Sequence, residues 1–198
     1  RMLALAAVIL GLAGPVLNPK HEAPGQGPLL ILLDASWAGA DSWEDRLKVL
    51  DTQLSEAARA NRPVSLLRLS DPEALNFQSA NIWRSRLQGL SPAPWQPGPA
   101  QINTALTLMQ AAPAKMDTLW HSDGLEYTDR AELLSALQMR GNVSVFQSQS
   151  AILGIRTASF EDGAVQLTAL RSHSGPEQVV SILAVGPDPS GELRVLDR

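Results

Sequence analysis

The run Leu29-Leu-Ile-Leu-Leu33, leading directly into Asp34-Ala-Ser36, constrains this chain more than any other feature. Five consecutive apolar residues of strand length fit a strand buried on both faces, as at the centre of a parallel sheet. A carboxylate at the C-terminal end of such a strand stands where open α/β sheets place their ligands. The chain has 198 residues, room for one α/β domain with segments to spare at each end. Its net charge of -4 gives no basic field for nucleic acid. The absence of cysteine excludes disulfide frameworks, thiolate zinc sites and Cys nucleophiles.

The pattern after Asp34 is one of alternating helices and strands. Trp43, Leu47, Leu50, Leu54 and Ala58 recur at helical spacing, and Asp41 with Glu44 has the form of a capping box. Asn61 and Pro63 end that helix, and Val64–Leu69 reads as a second strand. This is a βαβ unit, hence a parallel pair with a right-handed crossover. Ser79–Leu87 reads as a helix with Ile82, Trp83 and Leu87 inward, and Ser91–Pro99 as a Pro-rich loop. Gln101–Ala112 resumes helical periodicity, with Ile102, Ala105, Leu106 and Met109 inward. Met116–Trp120 reads as a third strand running into His121-Ser-Asp-Gly124. Thr128 is the expected cap of a helix reaching Arg140, with Gly141 at C′ and Val143–Phe146 as a fourth strand. The expected fold class is therefore α/β, a doubly wound and mostly parallel sheet of Rossmann-like kind.

The two ends differ. Met2–Leu17 is apolar or small throughout, slightly short of the roughly 20 residues that span a bilayer. A transmembrane helix trimmed at its start is the favoured reading. A signal peptide and a buried core helix are the alternatives. Pro19, Pro24, Gly25 and Gly27 mark a linker. From Ile152 the helices stop. Ile152–Ser159, Ala164–Leu170, Gln178–Val185 and Glu192–Leu196 read as strands, with a hairpin signal at Glu161-Asp-Gly163. The expected organisation is a transmembrane helix over 1–18, a linker over 19–27, the α/β domain over 28–150, and over 151–198 a partial antiparallel, Ig-like segment that opens a β-rich domain.

If the strands ending at Asp34 and Asp123 are neighbours, both carboxylates face one crevice. With the Ser36 hydroxyl they would offer hard oxygen ligands for Mg²⁺ or Mn²⁺. The plainer alternative is that each Asp caps the turn after it. Ser36, His121 and an aspartate could also be drawn as a hydrolytic triad, but no Gly-x-Ser-x-Gly elbow exists, and consecutive side chains at 121–123 diverge. His21 and His173 fall in linker and loop and read as solvated. Gly39 and Gly98 are lone turn glycines with no phosphate loop around them. Trp37 and Trp95 flank the same predicted edge, as a protein-binding surface or as a cover over the core.

Asp34-Ala-Ser36 after an apolar strand, followed much later by Ser122-Asp123-Gly124, resembles the von Willebrand factor A (vWA) domain. That family's metal-ion-dependent adhesion site is Asp-x-Ser-x-Ser, with a Thr from a middle loop and an Asp from a later strand. The apolar segment ending Leu12-Ala-Gly-Pro15 resembles the membrane-anchored Bat (aerotolerance regulator) group of bacterial vWA proteins. Asp34, Ser36 and Asp123 match the motif. Ala38 stands at the second Ser position. Aligning Ile102-Asn-Thr-Ala-Leu106 with the family's helix puts Ala100 at the Thr position, with Thr104 inside the helix. Two missing oxygen ligands predict a degenerate site with weak metal binding or none. The resemblance implies a non-catalytic, membrane-anchored protein-interaction module of a bacterial envelope complex, held in the inner membrane with its soluble part periplasmic. Its implied partners are other membrane vWA proteins and, across the membrane, a MoxR-type AAA+ ATPase. A Mg²⁺-dependent adhesion protein with a working site is the alternative, and a serine hydrolase using Ser36 ranks third.

Overall fold

The computed structural model describes residues 27–147, 151–172, 179 and 181–197. The predicted membrane segment and most of the predicted linker lie outside them. Among the described residues no helix is long and apolar enough to cross a membrane. The chain divides into two compact units, Arg1–Gln149 and Ser150–Arg198.

The first unit is a mixed α/β layer structure around a five-stranded sheet. Its strands are β1 (Leu29–Leu33), β2 (Pro63–Arg68), β3 (Gln78–Ser79), β4 (Asp117–Ser122) and β5 (Val143–Gln147), in the spatial order β3-β2-β1-β4-β5. All pairs are parallel except β2 with β3. Every residue of β1 is buried, because its two faces serve two cores. Leu29, Ile31 and Leu33 pack with Leu50, Leu54 and Ala57 of α1 (Trp43–Arg59) and Ala80 of α2 (Ala80–Arg86). Leu30 and Leu32 pack with Ile102, Ala105 and Met109 of α3 (Pro99–Gln110) and with Leu133 and Leu137 of α4 (Arg130–Gln138). Each such side chain contributes roughly 1.5–3 kcal/mol by burial, so β1 fixes the helices on both faces at once.

Several local signals are overruled by their surroundings. Asp41 lies inside a 3-10 turn, Trp37–Ser42, which runs straight into α1. It lacks the extended backbone a cap needs, and no capping box with Glu44 forms. Ile82 is exposed, whereas Trp83 packs on the core and Leu87 is buried. Pro99 is not loop but the first residue of α3, where its fixed φ and missing N–H do no harm. Thr128 caps nothing: α4 starts after Asp129, which takes a left-handed conformation at the cap position. The edge strand β3 is too short for its pattern to be read. The third predicted strand extends through His121 and Ser122, which pair with Phe146 and Gln147.

Among its described residues the second unit has three two-stranded antiparallel sheets. These pair β6 (Leu153–Ile155) with β9 (Ala169–Arg171), β7 (Ser159–Glu161) with β8 (Ala164–Gln166), and β10 (Ala184–Pro187) with β11 (Leu193–Asp197). Asp162 and Gly163, both at positive φ, form the predicted hairpin turn.

Gly141 serves a different purpose from the expected helix cap. Its backbone runs against β4, and a Cβ there would lie 2.2 Å from the Met116 carbonyl oxygen. Gly141→Ala should cost about 2–3 kcal/mol by chemical denaturation, since backbone rather than a mobile side chain blocks the methyl. Gly89→Ala, with nothing near its added methyl, should stay within about 0.5 kcal/mol of the parent.

Candidate functional site

The sheet changes direction at β1: β2 and β3 lie to one side, β4 and β5 to the other. The crevice between the C-terminal ends of β1 and β4 is thus the switch point where open α/β sheets bind ligands. Register places Leu33 opposite His121, and Asp34 N donates to His121 O at 3.1 Å, which continues the ladder by one residue. Asp34 and Asp123, 89 residues apart in sequence, therefore meet at this edge.

Asp34 is fully buried and caps nothing. Its Oδ1 accepts from Trp120 Nε1 at 2.7 Å and Tyr127 OH at 3.2 Å. Its Oδ2 accepts from Asp123 N at 2.9 Å and Ser122 Oγ at 3.0 Å. An ionised carboxylate offers about four lone-pair positions, and all are taken by protein donors. Asp123 behaves partly as the plainer reading expected: its Oδ1 accepts from Leu125 N at 3.0 Å in a local turn. Its Oδ2 accepts from Ser36 Oγ. Two backbone conformations make the edge. Ala35, buried between Asp34 and Ser36, is held at φ 49, a strained conformation for a residue with a side chain. The Pro-rich loop clamps it through Ala93 N to Ala35 O at 2.8 Å. Gly124, at φ 84, leaves room for the Gln147 side chain, whose Nε2 would be 2.3 Å from a Cβ.

Two guanidinium groups attend the acids without bonding them directly. Arg46 on α1 is buried and donates to the carbonyls of His121 at 3.2 Å and Ser122 at 3.4 Å. Arg130 Nη2 donates to Ser122 Oγ at 2.9 Å, and its guanidinium lies 5.4 Å from the Trp120 ring centroid. Burial, reinforced by the charge of Asp123, pushes the Asp34 carboxyl up to about 6. Burial lowers Arg46 against the opposing pull of both aspartates. Burial first, and the neighbouring Asp34 charge next, raise the Tyr127 hydroxyl.

The remaining expected site residues are placed as follows. Ser36 also accepts from Ala38 N at 3.2 Å, so Ala38 meets it through backbone. Ala100 lies within α3, where Thr104 Oγ1 donates back to its carbonyl at 2.9 Å. His121 does not join Ser36. Its Nε2 pairs with Gln53 Oε1 at 2.7 Å and its ring stacks on Phe146 at 5.2 Å, so the sketched triad is not assembled. Trp37 and Trp95 are about half exposed, and Trp95 Nε1 is anchored to Ser70 O at 3.1 Å. His21 and His173 lie outside the described residues. Motif reading missed Arg46, Tyr127 and Arg130. The signal for Arg46 was a charge at helical spacing between Trp43 and Leu50, on an otherwise apolar face.

Among the described residues no group of three or more His, Asp or Glu side chains is arranged to hold a metal ion. No protein-family model matches this chain, and no curated protein matches it.

Burial, with the nearby Arg46 charge, lowers His121 to about 4, opposite in sense to Asp34. The folded state holds a proton on Asp34 more tightly than the unfolded chain does. That stability is full below about 3.8 and is lost as pH rises through about 6. The His121 contribution is present above 6.5 and is lost as pH falls through about 4. The two offset each other between pH 4 and 6. In His121→Gln, which can keep the bond to Gln53, only Asp34 remains. Stability relative to the parent should then rise on acidification from pH 6.5 to 4.5, by at most about 1.4 kcal/mol per pH unit, as read by thermal unfolding.

Proposed function

We propose that this chain is a non-catalytic, membrane-anchored protein-interaction module of the vWA type. It works in a bacterial envelope complex and carries a degenerate metal-ion-dependent adhesion site at Asp34, Ser36 and Asp123. One observation carries the reading: these three residues converge at the switch point of the sheet, yet every acceptor position of Asp34 is filled from within the protein. A divalent cation in this place needs oxygens turned outward. The donor set fits such an ion poorly, since Trp120 and Tyr127 occupy one carboxylate oxygen and Ala38 and Ala100 bring no side-chain oxygen.

On this reading the parallel sheet with its antiparallel edge strand is a vWA-like, doubly wound Rossmann-like domain, and residues 151–198 begin an Ig-like segment. Met2–Leu17 is the inner-membrane anchor, and the soluble part is periplasmic. The half-exposed Trp37 and Trp95, at the edge clamped by the Pro-rich loop, supply the aromatic contacts that protein interfaces favour. Their partners are other membrane vWA proteins, with a MoxR-type AAA+ ATPase engaged across the membrane. A second reading, Mg²⁺-dependent adhesion, draws on the same convergence but requires Asp34 to release Trp120 or Tyr127. The hydrolase reading gains nothing, because among the described residues no imidazole bonds Ser36 and His121 pairs with Gln53 instead.

Thermal unfolding of the full chain in Mg²⁺, Mn²⁺ or EDTA separates the first two readings, since a cation bound only by the folded state must raise Tm. The expected result is the same Tm in all three. A rise that Asp123→Ala abolishes would establish the second reading. Trp37→Ala with Trp95→Ala should abolish crosslinking to a membrane vWA partner while the protein stays folded, losing about 1–2 kcal/mol because Trp95 also gives up its bond to Ser70 O. Undiminished crosslinking would remove the tryptophans from the interface.

A further inference from the structure

A cavity of about 250 Å³ lies where the first turns of α1 meet the C-terminal ends of β4 and β5. We propose that it binds a small planar carboxylate, with Arg46 taking the two oxygens and Phe146 and Val49 flanking the apolar body. The proposal stands on this cavity alone and is independent of the vWA reading.

Arg46 is more than nine-tenths buried. Two of its N–H groups reach backbone carbonyls, at 3.2 and 3.4 Å, both long for bonds from a charged donor. Its other three donors, Nε–H among them, have no partner among the described residues, and no carboxylate there is within ion-pair distance of it. A guanidinium taken out of water without a direct anion is costly, and a carboxylate in fork geometry restores charge-assisted bonds. Gly39 lets the preceding turn close on this group, since a Cβ there would approach Nη2 to 3.2 Å. The guanidinium is thus held rather than free to swing.

The rest of the lining suits the same ligand. Ser42 occupies the N-cap position of α1 but makes no cap bond, so its hydroxyl can donate into the cavity, at the positive end of a 17-residue helix. Val49 and Phe146 are partly exposed there, and the Phe146 ring is held by its near-parallel stack on His121, 16° between planes. Gln147 adds an amide. Asp45 is the one acid lining the cavity, and Lys48 Nζ at 2.6 Å offsets its charge. Asp34 and Asp123 lie close enough to act on Arg46, which disfavours a dianion such as phosphate and leaves a monocarboxylate. At about 30 Å³ per liquid-water volume the cavity takes about eight heavy atoms, close to the size of benzoate. Such an acid can be a free metabolite-sized molecule or the C-terminal carboxylate of a peptide.

Ligand-observed NMR titration of the full chain with benzoate, N-acetylphenylalanine and the neutral control benzamide tests this. Saturable benzoate binding with Kd about 1 mM is expected, with benzamide at least about tenfold weaker. Phe146→Ala, which leaves Arg46 untouched, should weaken benzoate about tenfold. Arg46→Lys, which keeps the charge but loses the fork, should weaken it as well. Tighter binding of N-acetylphenylalanine than benzoate assigns the site to a chain terminus, and the reverse to a free acid. Equal binding of benzoate and benzamide, no saturation by either acid, or unchanged affinity in Phe146→Ala would overturn the proposal. These three readouts decide it even if Arg46→Lys does not fold.

Discussion

A fully buried carboxylate at the end of the central strand is the constraint around which this edge of the sheet is arranged. Moving an unpaired carboxylate out of water costs many kcal/mol, so Asp34 can be there only if its surroundings supply donors. They come from far along the chain: Trp120 from within β4, Ser122 and the Asp123 amide from its end, and Tyr127 from the loop beyond. None is a sequence neighbour of Asp34. The β1–β4 register brings the first three, and the left-handed Gly124 turns the chain so that Tyr127 follows. Removing the register would strand the charge, which couples the site to the same pairing that builds both cores.

The chemistry of those donors explains the direction in which Asp34 titrates. All four are neutral, and the bonds from Trp120, the Asp123 amide and Ser122 favour the ionised form less than burial disfavours it. Burial and the neighbouring Asp123 act the other way and prevail. A directly bonded guanidinium would have reversed that outcome. Arg46 and Arg130 instead bond backbone carbonyls and Ser122, and Arg46 feels the charges of Asp34 and Asp123 through space. The arrangement balances charge across the edge while leaving Arg46 with donors to spare.

Much of this was legible where a signal did not depend on partners. The continuous apolar run identified β1, and Asp34 and Asp123 at strand ends located the crevice. Leu50, Leu54, Ile102 and Leu137 were readable as core from periodicity alone. Local punctuation failed wherever tertiary contact set the backbone. Asp41 was absorbed into a 3-10 turn, Thr128 was bypassed by Asp129, and Gly141 proved to be a close approach to Met116 rather than a helix stop. The ligands of Asp34 were not readable at all. A tyrosine in a loop and a tryptophan in a strand carry no mark of the acceptor they will meet.

This bears on how a short acidic motif is to be weighed. Asp34, Ser36 and Asp123 converge, and on the proposed vWA-type reading they are what is left of a metal-binding pattern. Whether such residues can hold an ion depends on the lone pairs left after the protein has used its share. Here the alanines at 38 and 100 and the donors from Trp120 and Tyr127 act in the same sense, by withholding oxygens and by occupying them. Restoring a serine at position 38 would therefore not by itself open the site, because Asp34 would still be fully engaged. On the proposed vWA-type reading, the residues at 38 and 100 and the donors that Asp34 already accepts from are two separate arguments against a filled cation shell.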